Sequence, residues 1–153
     1  NGLMLELGAA TGALALHLCA LGCSVITSDI VDDGVVEENI KYNFQHNNQE
    51  VVQHVPHTWG EMWPEDQVPS SSLHKIIASD ILLYVKAYPA LVETLTYLFD
   101  AGNVTEFLMS WNRRLSTTPI YFQLMEKAGF SVENLPHCLY RFTKNIENKK
   151  VVN

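Results

Sequence analysis

The sequence predicts an α/β fold built on a doubly wound, mostly parallel sheet of seven strands, with an antiparallel strand near its C-terminus. Short apolar runs alternate with amphipathic stretches along most of the chain, which is the pattern of consecutive βαβ units. The run "HKIIASD" (74–80) is apolar enough to lie in the centre of a parallel sheet. With 153 residues, of which 47% are hydrophobic, the chain has room for one domain with a sizeable core.

The first half of the chain contains three predicted strands and two predicted helices. The strands are "LMLEL" (3–7), "SVITSD" (24–29) and "VVQHVPHTW" (51–59). The helices are "GALALHLCALG" (12–22) and "GVVEENIKYNFQHNN" (34–48), and Gly22 ends the first of them. Pro56 interrupts the third strand, which indicates an edge position or a bulge. "EDQVPSSS" (65–72) has the composition of a loop.

The second half continues the alternation and closes it with two successive strands. The predicted strands are "HKIIASD" (74–80), "EFLMSW" (106–111), "SVENL" (131–135) and "CLYRFT" (138–143), and the predicted helices are "YPALVETLTYLFD" (88–100) and "TPIYFQLMEKAGF" (118–130). In the first of these helices Leu91, Leu95, Leu98 and Phe99 fall on one face. We therefore expect one domain over residues 1–143, followed by a solvated tail over residues 144–153.

Right-handed βαβ connections bring the carboxyl ends of the parallel strands to one edge of such a Rossmann-like sheet, where ligands bind. Six residues close a predicted strand or follow one closely, and we expect them along this rim: Glu6, Gly8, Asp29, Trp59, Ser79 and Asp80.

The segment "LELGAATG" (5–12) has small residues where a strand turns into a helix. Gly8 and Gly12 bracket Ala9 and Ala10, so a ligand can approach the backbone and the free N–H groups of the helix N-terminus. The dinucleotide pattern G-x-G-x-x-G is not matched, because alanines stand at its second and third glycine positions.

Two carboxylates near this turn indicate the charge of the ligand. Glu6 would repel a pyrophosphate but attract an ammonium or sulfonium group, and Asp29 can accept both hydroxyls of a ribose. Together they favour S-adenosylmethionine over a nicotinamide dinucleotide as the cofactor. Two other roles stay open at this point: Glu6 as a satisfied structural carboxylate, and Asp29 as a cap of the following segment.

Four segments, "LELGAATGALAL", "VITSD", "HTWGE" and "IIASDILLYVKAYPALVETL", resemble the seven-β-strand methyltransferases of the methyltransferase-like lysine group, which modify lysines of chaperones, elongation factors and related proteins. The resemblance extends from the first strand to about Phe142. It implies that Gly8, Ala9 and Ala10 line the methionine part of S-adenosylmethionine, that Asp29 holds the ribose, and that Trp59 flanks the adenine. It also implies that Ser79 lies beneath the cofactor.

The same resemblance implies an acceptor site formed by Asp80 and Tyr84. A carboxylate at Asp80 would orient the incoming amine, and the ring of Tyr84 would line its channel. The chain departs from the family pattern Asp-x-x-Tyr, because Leu83 takes the tyrosine place and Tyr84 follows one residue later. Ala10 stands where the family usually has Gly. The family also carries an upstream segment over the cofactor, and because this chain starts at Asn1 we expect it to be a fragment without that segment.

The leading hypothesis is therefore an S-adenosylmethionine-dependent methyltransferase that transfers a methyl group to a lysine of a protein. The alternative is a catalytically inactive domain of this type that acts as a protein-interaction module, which Ala10 and the displaced tyrosine motivate. A nicotinamide-dependent oxidoreductase on a similar sheet is a third possibility, disfavoured by the glycine spacing and Glu6.

Composition limits the partners of the chain. A net charge of −7 argues against nucleic-acid binding, and the longest apolar stretch is too short to span a membrane. Cys19, Cys23 and Cys138 fit no paired framework, so we expect reduced, mostly buried thiols in a cytoplasmic or nuclear monomer. The pair His54 and His57 makes a weak zinc motif, and we expect no metal site. We expect Arg113 and Arg114, after the fifth strand, to lie in a solvated loop.

Overall fold

Seven strands form one sheet in the computed structural model, which describes residues 2–113 and 115–144. They are β1 (Leu3–Leu7), β2 (Val25–Asp29), β3 (His54–Pro56), β4 (Leu73–Ser79), β5 (Glu106–Ser110), β6 (Phe130–Leu135) and β7 (Leu139–Lys144). Their order across the sheet is β3-β2-β1-β4-β5-β7-β6. The first five strands pair in parallel, whereas β7 runs antiparallel to both β5 and β6. The predicted doubly wound, mostly parallel sheet with an antiparallel C-terminal strand is confirmed.

The four predicted helices are present as α1 (Ala13–Ala20), α2 (Val35–His46), α3 (Tyr88–Ala101) and α4 (Thr118–Lys127), with 3-10 turns at Ser70–Ser72 and Val85–Ala87. The predicted fourth helix was too long at its C-terminal end. Gly129 adopts the left-handed region at φ 88, so α4 stops before it and Phe130 begins β6 instead.

The third strand is shorter than predicted, because only His54–Pro56 pairs with β2. Its position at the edge of the sheet is the one that Pro56 predicted. At the other end of the chain, β7 includes Lys144, whose ammonium group pairs with Asp100. The predicted tail therefore cannot begin at residue 144, and residues 145–153 lie outside the described residues.

Apolar side chains cover both faces of the sheet. On one face α1 and α2 pack through Ala15, Ile40 and Phe44 against β2 and β4. On the other face α3 and α4 pack over the larger cluster, which includes Leu95 and Tyr121. Within the described part of the chain, no helix has the length and apolar character needed to cross a membrane. The three cysteines are free thiols of intermediate exposure, and Cys19 and Cys23 pack against the smaller apolar cluster.

Candidate functional site

The turn from β1 into α1 has an unusual backbone. Gly8, Ala10 and Gly12 all lie in the left-handed region, at φ 66, 48 and 70. The turn is closed by a hydrogen bond from the Gly12 N–H to the Ala9 carbonyl at 2.7 Å, and the Ala9 N–H donates to the carbonyl of Ser28 in β2 at 3.1 Å. The left-handed backbone of Ala10 is strained, because its Cβ disfavours this conformation. Glycine has no Cβ and would adopt it without strain.

Gly8 is needed at its position for a second reason, the space around it. A Cβ at Gly8 would lie 2.8 Å from Cγ2 of Ile81 and 3.7 Å from Cζ2 of Trp59. The backbone of the turn therefore lies directly beside Trp59, which follows β3, and Ile81, which follows β4. Ile81 was not among the predicted site residues. The only feature of the sequence that could have indicated it is its position two residues after the end of β4.

Asp29 closes β2 and holds the turn in place. Its Oδ2 accepts the Ala10 N–H at 2.7 Å, and its Oδ1 accepts the Ile30 N–H at 2.7 Å. The carboxylate thus has the capping role that was left open, and it also lies at the rim. Each carboxylate oxygen can accept more than one hydrogen bond, so a pair of ribose hydroxyls can still be bound.

Glu6 is almost completely buried, with 3% of its surface exposed. Its Oε2 accepts the N–H of Ala15 in the first turn of α1 at 3.0 Å. Burial raises the pKa of Glu6 from about 4.5 to about 7, while the hydrogen bond from Ala15 opposes this rise and the charge of Asp29 adds to it. Near neutral pH the protonation of Glu6 is therefore finely balanced, and a cation nearby would favour the carboxylate.

Asp80 follows β4 directly and is bound by an arginine from the segment after β5. Its backbone is left-handed at φ 60, and its N–H donates to the Ser110 carbonyl at 3.0 Å. Arg113 donates to Oδ2 of Asp80 from Nε at 2.9 Å and from Nη2 at 2.7 Å. Asp80 also raises the pKa of Arg113. Arg113 lies in an exposed loop, as expected, but its side chain is paired with Asp80. Arg114 lies outside the described residues.

Three predicted site residues remain: Trp59, Ser79 and Tyr84. Trp59 is half-buried against the core, and the next residue is anchored by a hydrogen bond from the Gly60 N–H to Thr94 Oγ1 at 2.9 Å. Ser79 is exposed at the end of β4 in register with Ser110. The side chain of Tyr84 is 75% exposed and makes no hydrogen bond or ring contact with another residue of the described ranges.

A cavity of about 870 Å³ lies beside Arg113. Its walls are the segment that joins β5 to α4, the length of α4, and the β6–β7 hairpin. The described residues that line it are Trp111, Asn112, Arg113, Leu115, Ser116, Thr118, Pro119, Phe122, Gln123, Glu126, Asn134, Cys138 and Tyr140. None of these is a predicted cofactor residue, and no motif in the sequence predicts the cavity.

The two histidines of the weak zinc motif have other partners. Nδ1 of His54 lies 3.0 Å from Thr27 Oγ1, and Nε2 of His57 lies 3.0 Å from the carbonyl oxygen of Glu61. Within residues 2–113 and 115–144, the structure contains no group of three or more His, Cys, Asp or Glu side chains placed to hold a metal ion.

The donor set at the turn suits S-adenosylmethionine. Glu6 and Asp29 place two carboxylates at the turn, a donor set that favours a positively charged group and hydroxyls over a pyrophosphate. Because Gly8 has no side chain, Ile81 and Trp59 can pack directly against the backbone of the turn. The residues present therefore fit this cofactor.

Comparison with known proteins agrees with this assignment. Residues 2–128 match the family described as Lysine methyltransferase. The chain is 27% identical over 157 residues to Protein N-lysine methyltransferase METTL21A of Danio rerio, covering 97% of this chain and 69% of that protein.

Solved methyltransferase structures also share the fold at low identity. The ribosomal protein L11 methylase of Lactobacillus delbrueckii subsp. bulgaricus has a TM-score of 0.63 at 15% identity, covering 94% of this chain and 70% of that one. The magnesium protoporphyrin IX methyltransferase of Synechocystis PCC 6803 was solved with bound S-adenosylmethionine. It has a TM-score of 0.63 at 14% identity, and the match covers 94% of this chain and 68% of that one. The family match spans most of the sequence, and the chain belongs to the lysine methyltransferase family of S-adenosylmethionine-dependent methyltransferases.

Proposed function

We propose that the rim of the sheet divides into a cofactor half and an acceptor half for methyl transfer to a protein lysine. In the cofactor half, Asp29 binds the ribose and Trp59 flanks the adenine, while Glu6 favours a positive charge at the methionine end. The residues around that end are Gly8, Ala9, Ala10, Gly12 and Ser79. The observation that carries this assignment is the hydrogen bond between Asp29 and the Ala10 N–H, which joins the two predicted cofactor elements.

The cofactor supplies an activated methyl group on a sulfonium when it is bound. The chain's own residues have to align the acceptor with that group, because in-line displacement needs no covalent nucleophile from the protein. Asp80 directly follows β4, the strand that pairs with β1, and it can accept a hydrogen bond from the incoming amine. Tyr84 is exposed on the following segment, where its ring can line the acceptor channel.

The acceptor is a lysine side chain of a protein substrate. The family match and the name of the Danio rerio relative support this substrate class, and they disfavour the inactive interaction module. The cavity beside Arg113 supports a protein substrate as well, since it offers apolar and amide side chains next to the arginine that binds Asp80. A net charge of −7 suits a basic substrate surface and not a nucleic acid.

We further propose that the protein is a monomer and that it works in the cytoplasm or the nucleus. Three free thiols suit a reducing compartment. Size-exclusion chromatography with light scattering, and imaging of the tagged protein in cells, test these two points independently of catalysis.

The activity is tested by incubating the protein with S-adenosylmethionine labelled in its methyl group and an extract of cellular proteins. Acid hydrolysis followed by amino-acid analysis should recover the label as methylated lysine. The variant Asp29→Ala should lose the transfer through poorer cofactor binding, and Asp80→Asn should lose it with cofactor binding kept. Label found only on other amino acids would contradict the lysine assignment.

A further inference from the structure

The contact between Arg113 and Asp80 places a positive charge inside the proposed acceptor site. Arg113 donates two hydrogen bonds to a single oxygen, Oδ2, so the guanidinium lies against one side of the carboxylate. β4 and β5 are adjacent and parallel, with Ser79 in register with Ser110, so the segments that carry the two side chains leave the sheet next to each other. The topology of the sheet brings the two segments together, and the conformation of the loop that carries Arg113 completes the ion pair.

The pair is accessible and can be shared with a ligand. The two side chains are 55% and 44% exposed, and ion pairs of this kind contribute little to stability. Arg113 also lines the cavity through which a substrate could approach. A molecule that approaches from the cavity therefore contacts Arg113 as well as the carboxylate of Asp80.

The charge on this carboxylate matters for lysine methylation. A lysine ammonium has no lone pair, and it must give its proton to water before its nitrogen can form a bond to the methyl carbon while the carbon–sulfur bond breaks with its electrons remaining on sulfur. An unpaired carboxylate stabilises the ammonium and raises the lysine pKa, which opposes this loss. A carboxylate already neutralised by a guanidinium still accepts an N–H hydrogen bond without that penalty.

We propose that Arg113 is a positioning residue that neutralises Asp80 so that the acceptor lysine binds as the uncharged amine. The inference rests on the proposed function, in which Asp80 faces the acceptor. It gives Arg113 a role in turnover, and it predicts that removing the arginine converts Asp80 into a site that holds ammonium ions tightly.

Other titratable groups stand on the elements around Asp80, and they are common to every variant compared below. They are Glu6 on β1, Tyr84 and Lys86 on the segment after β4, Glu126 on α4, and His137 and Cys138 in the β6–β7 turn. Because these groups do not change between variants, their effect cancels when a variant is compared with the wild-type protein at the same pH.

The test uses two cofactor analogues and needs no knowledge of the protein substrate. Sinefungin carries an amine on carbon in place of the methylated sulfonium, so its ammonium occupies the junction between cofactor and acceptor. S-adenosylhomocysteine has no charged group there. The ratio of their dissociation constants, measured by calorimetry at neutral pH and low salt, reports how well the acceptor site holds an ammonium ion.

In Arg113→Gln the preference for sinefungin over S-adenosylhomocysteine should rise about threefold to fivefold, the scale of one exposed ion pair. The rise should shrink at high salt and above the pKa of the amine. Arg113→Lys keeps the charge and should behave like the wild-type protein. The double variant Arg113→Gln/Asp80→Asn should show no rise, because the carboxylate is gone.

Lys75→Gln is the matched control, since Lys75 is another exposed cation paired with a carboxylate, at the opposite end of β4. An unchanged ratio in folded Arg113→Gln, with S-adenosylhomocysteine still bound, would overturn the role of Arg113 alone. Failure of the wild-type protein to bind S-adenosylhomocysteine would instead overturn the proposed function, and this inference with it.

Discussion

The carboxylate of Asp29, at the end of β2, accepts the backbone N–H of Ala10, in the turn after β1, at 2.7 Å. A second hydrogen bond, from the Ala9 N–H to the Ser28 carbonyl, joins the same two segments at 3.1 Å. The glycine turn and the ribose-binding candidate therefore form one unit, and the position of each depends on the other.

Replacing Asp29 with alanine should weaken binding of S-adenosylmethionine by about 1–3 kcal/mol, because hydrogen bonds to a charged group are lost. Calorimetric titration of the folded variant measures this change. Asp32→Ala is a suitable control, since Asp32 is a nearby carboxylate that accepts the backbone N–H groups of Gly34 and Val36 at the start of α2. An affinity equal to that of the wild-type protein would refute the ribose assignment.

Replacing Ala10 with glycine should keep or increase the free energy of unfolding, by up to about 1 kcal/mol. The left-handed backbone at φ 48 is unfavourable for alanine, and this strain outweighs the greater flexibility of glycine in the unfolded chain. Urea unfolding measures the difference. The matched variant Ala20→Gly, in the last turn of α1, should instead lose about 0.5–1 kcal/mol. Equal losses in both variants would argue against strain at Ala10.

Gly8→Ala should destabilise the protein and disturb cofactor binding, since its methyl group would lie 2.8 Å from Cγ2 of Ile81 at a backbone φ of 66. Shortening the neighbour in Ile81→Ala should relieve the steric part of this cost but not the backbone part. A double-mutant cycle on the free energy of unfolding separates the two. Strict additivity of the two variants would show that the residues are not in contact.

Glu6 should make stability depend on pH. Folded Glu6 keeps its proton up to a pKa of about 7, whereas the unfolded chain loses it near 4.5, so the folded state binds more protons between these values. Stability therefore falls as pH rises through this range, by about 3 kcal/mol in total.

The variant Glu6→Gln keeps an oxygen acceptor for the Ala15 N–H and removes the titration. As the pH rises from about 5 to about 8, its free energy of unfolding should increase by about 2.5 kcal/mol relative to that of the wild-type protein. Urea unfolding of both proteins at the two pH values measures this difference. A difference that stays constant with pH would show that Glu6 is ionised throughout.

The residues at strand ends could be predicted because parallel strands bring their carboxyl ends to one edge, so Glu6 and Asp29 were placed by sequence order alone. The bond between Arg113 and Asp80 could not be predicted in the same way. Arg113 stands three residues beyond β5, and its direction depends on the loop conformation and on the left-handed backbone of Asp80. The cavity beside it was missed for a related reason: its walls come from three separate segments, which only the tertiary structure brings together.

The most direct test of the account is calorimetric titration of the protein with S-adenosylmethionine and S-adenosylhomocysteine, with NAD as the control ligand. In the proposed site, Glu6 and Asp29 favour a sulfonium and a ribose and disfavour a pyrophosphate. We predict binding of both S-adenosyl compounds and none of NAD. Binding of NAD alone, or of no ligand by the folded protein, would contradict the assignment of the rim as a methyltransferase cofactor site.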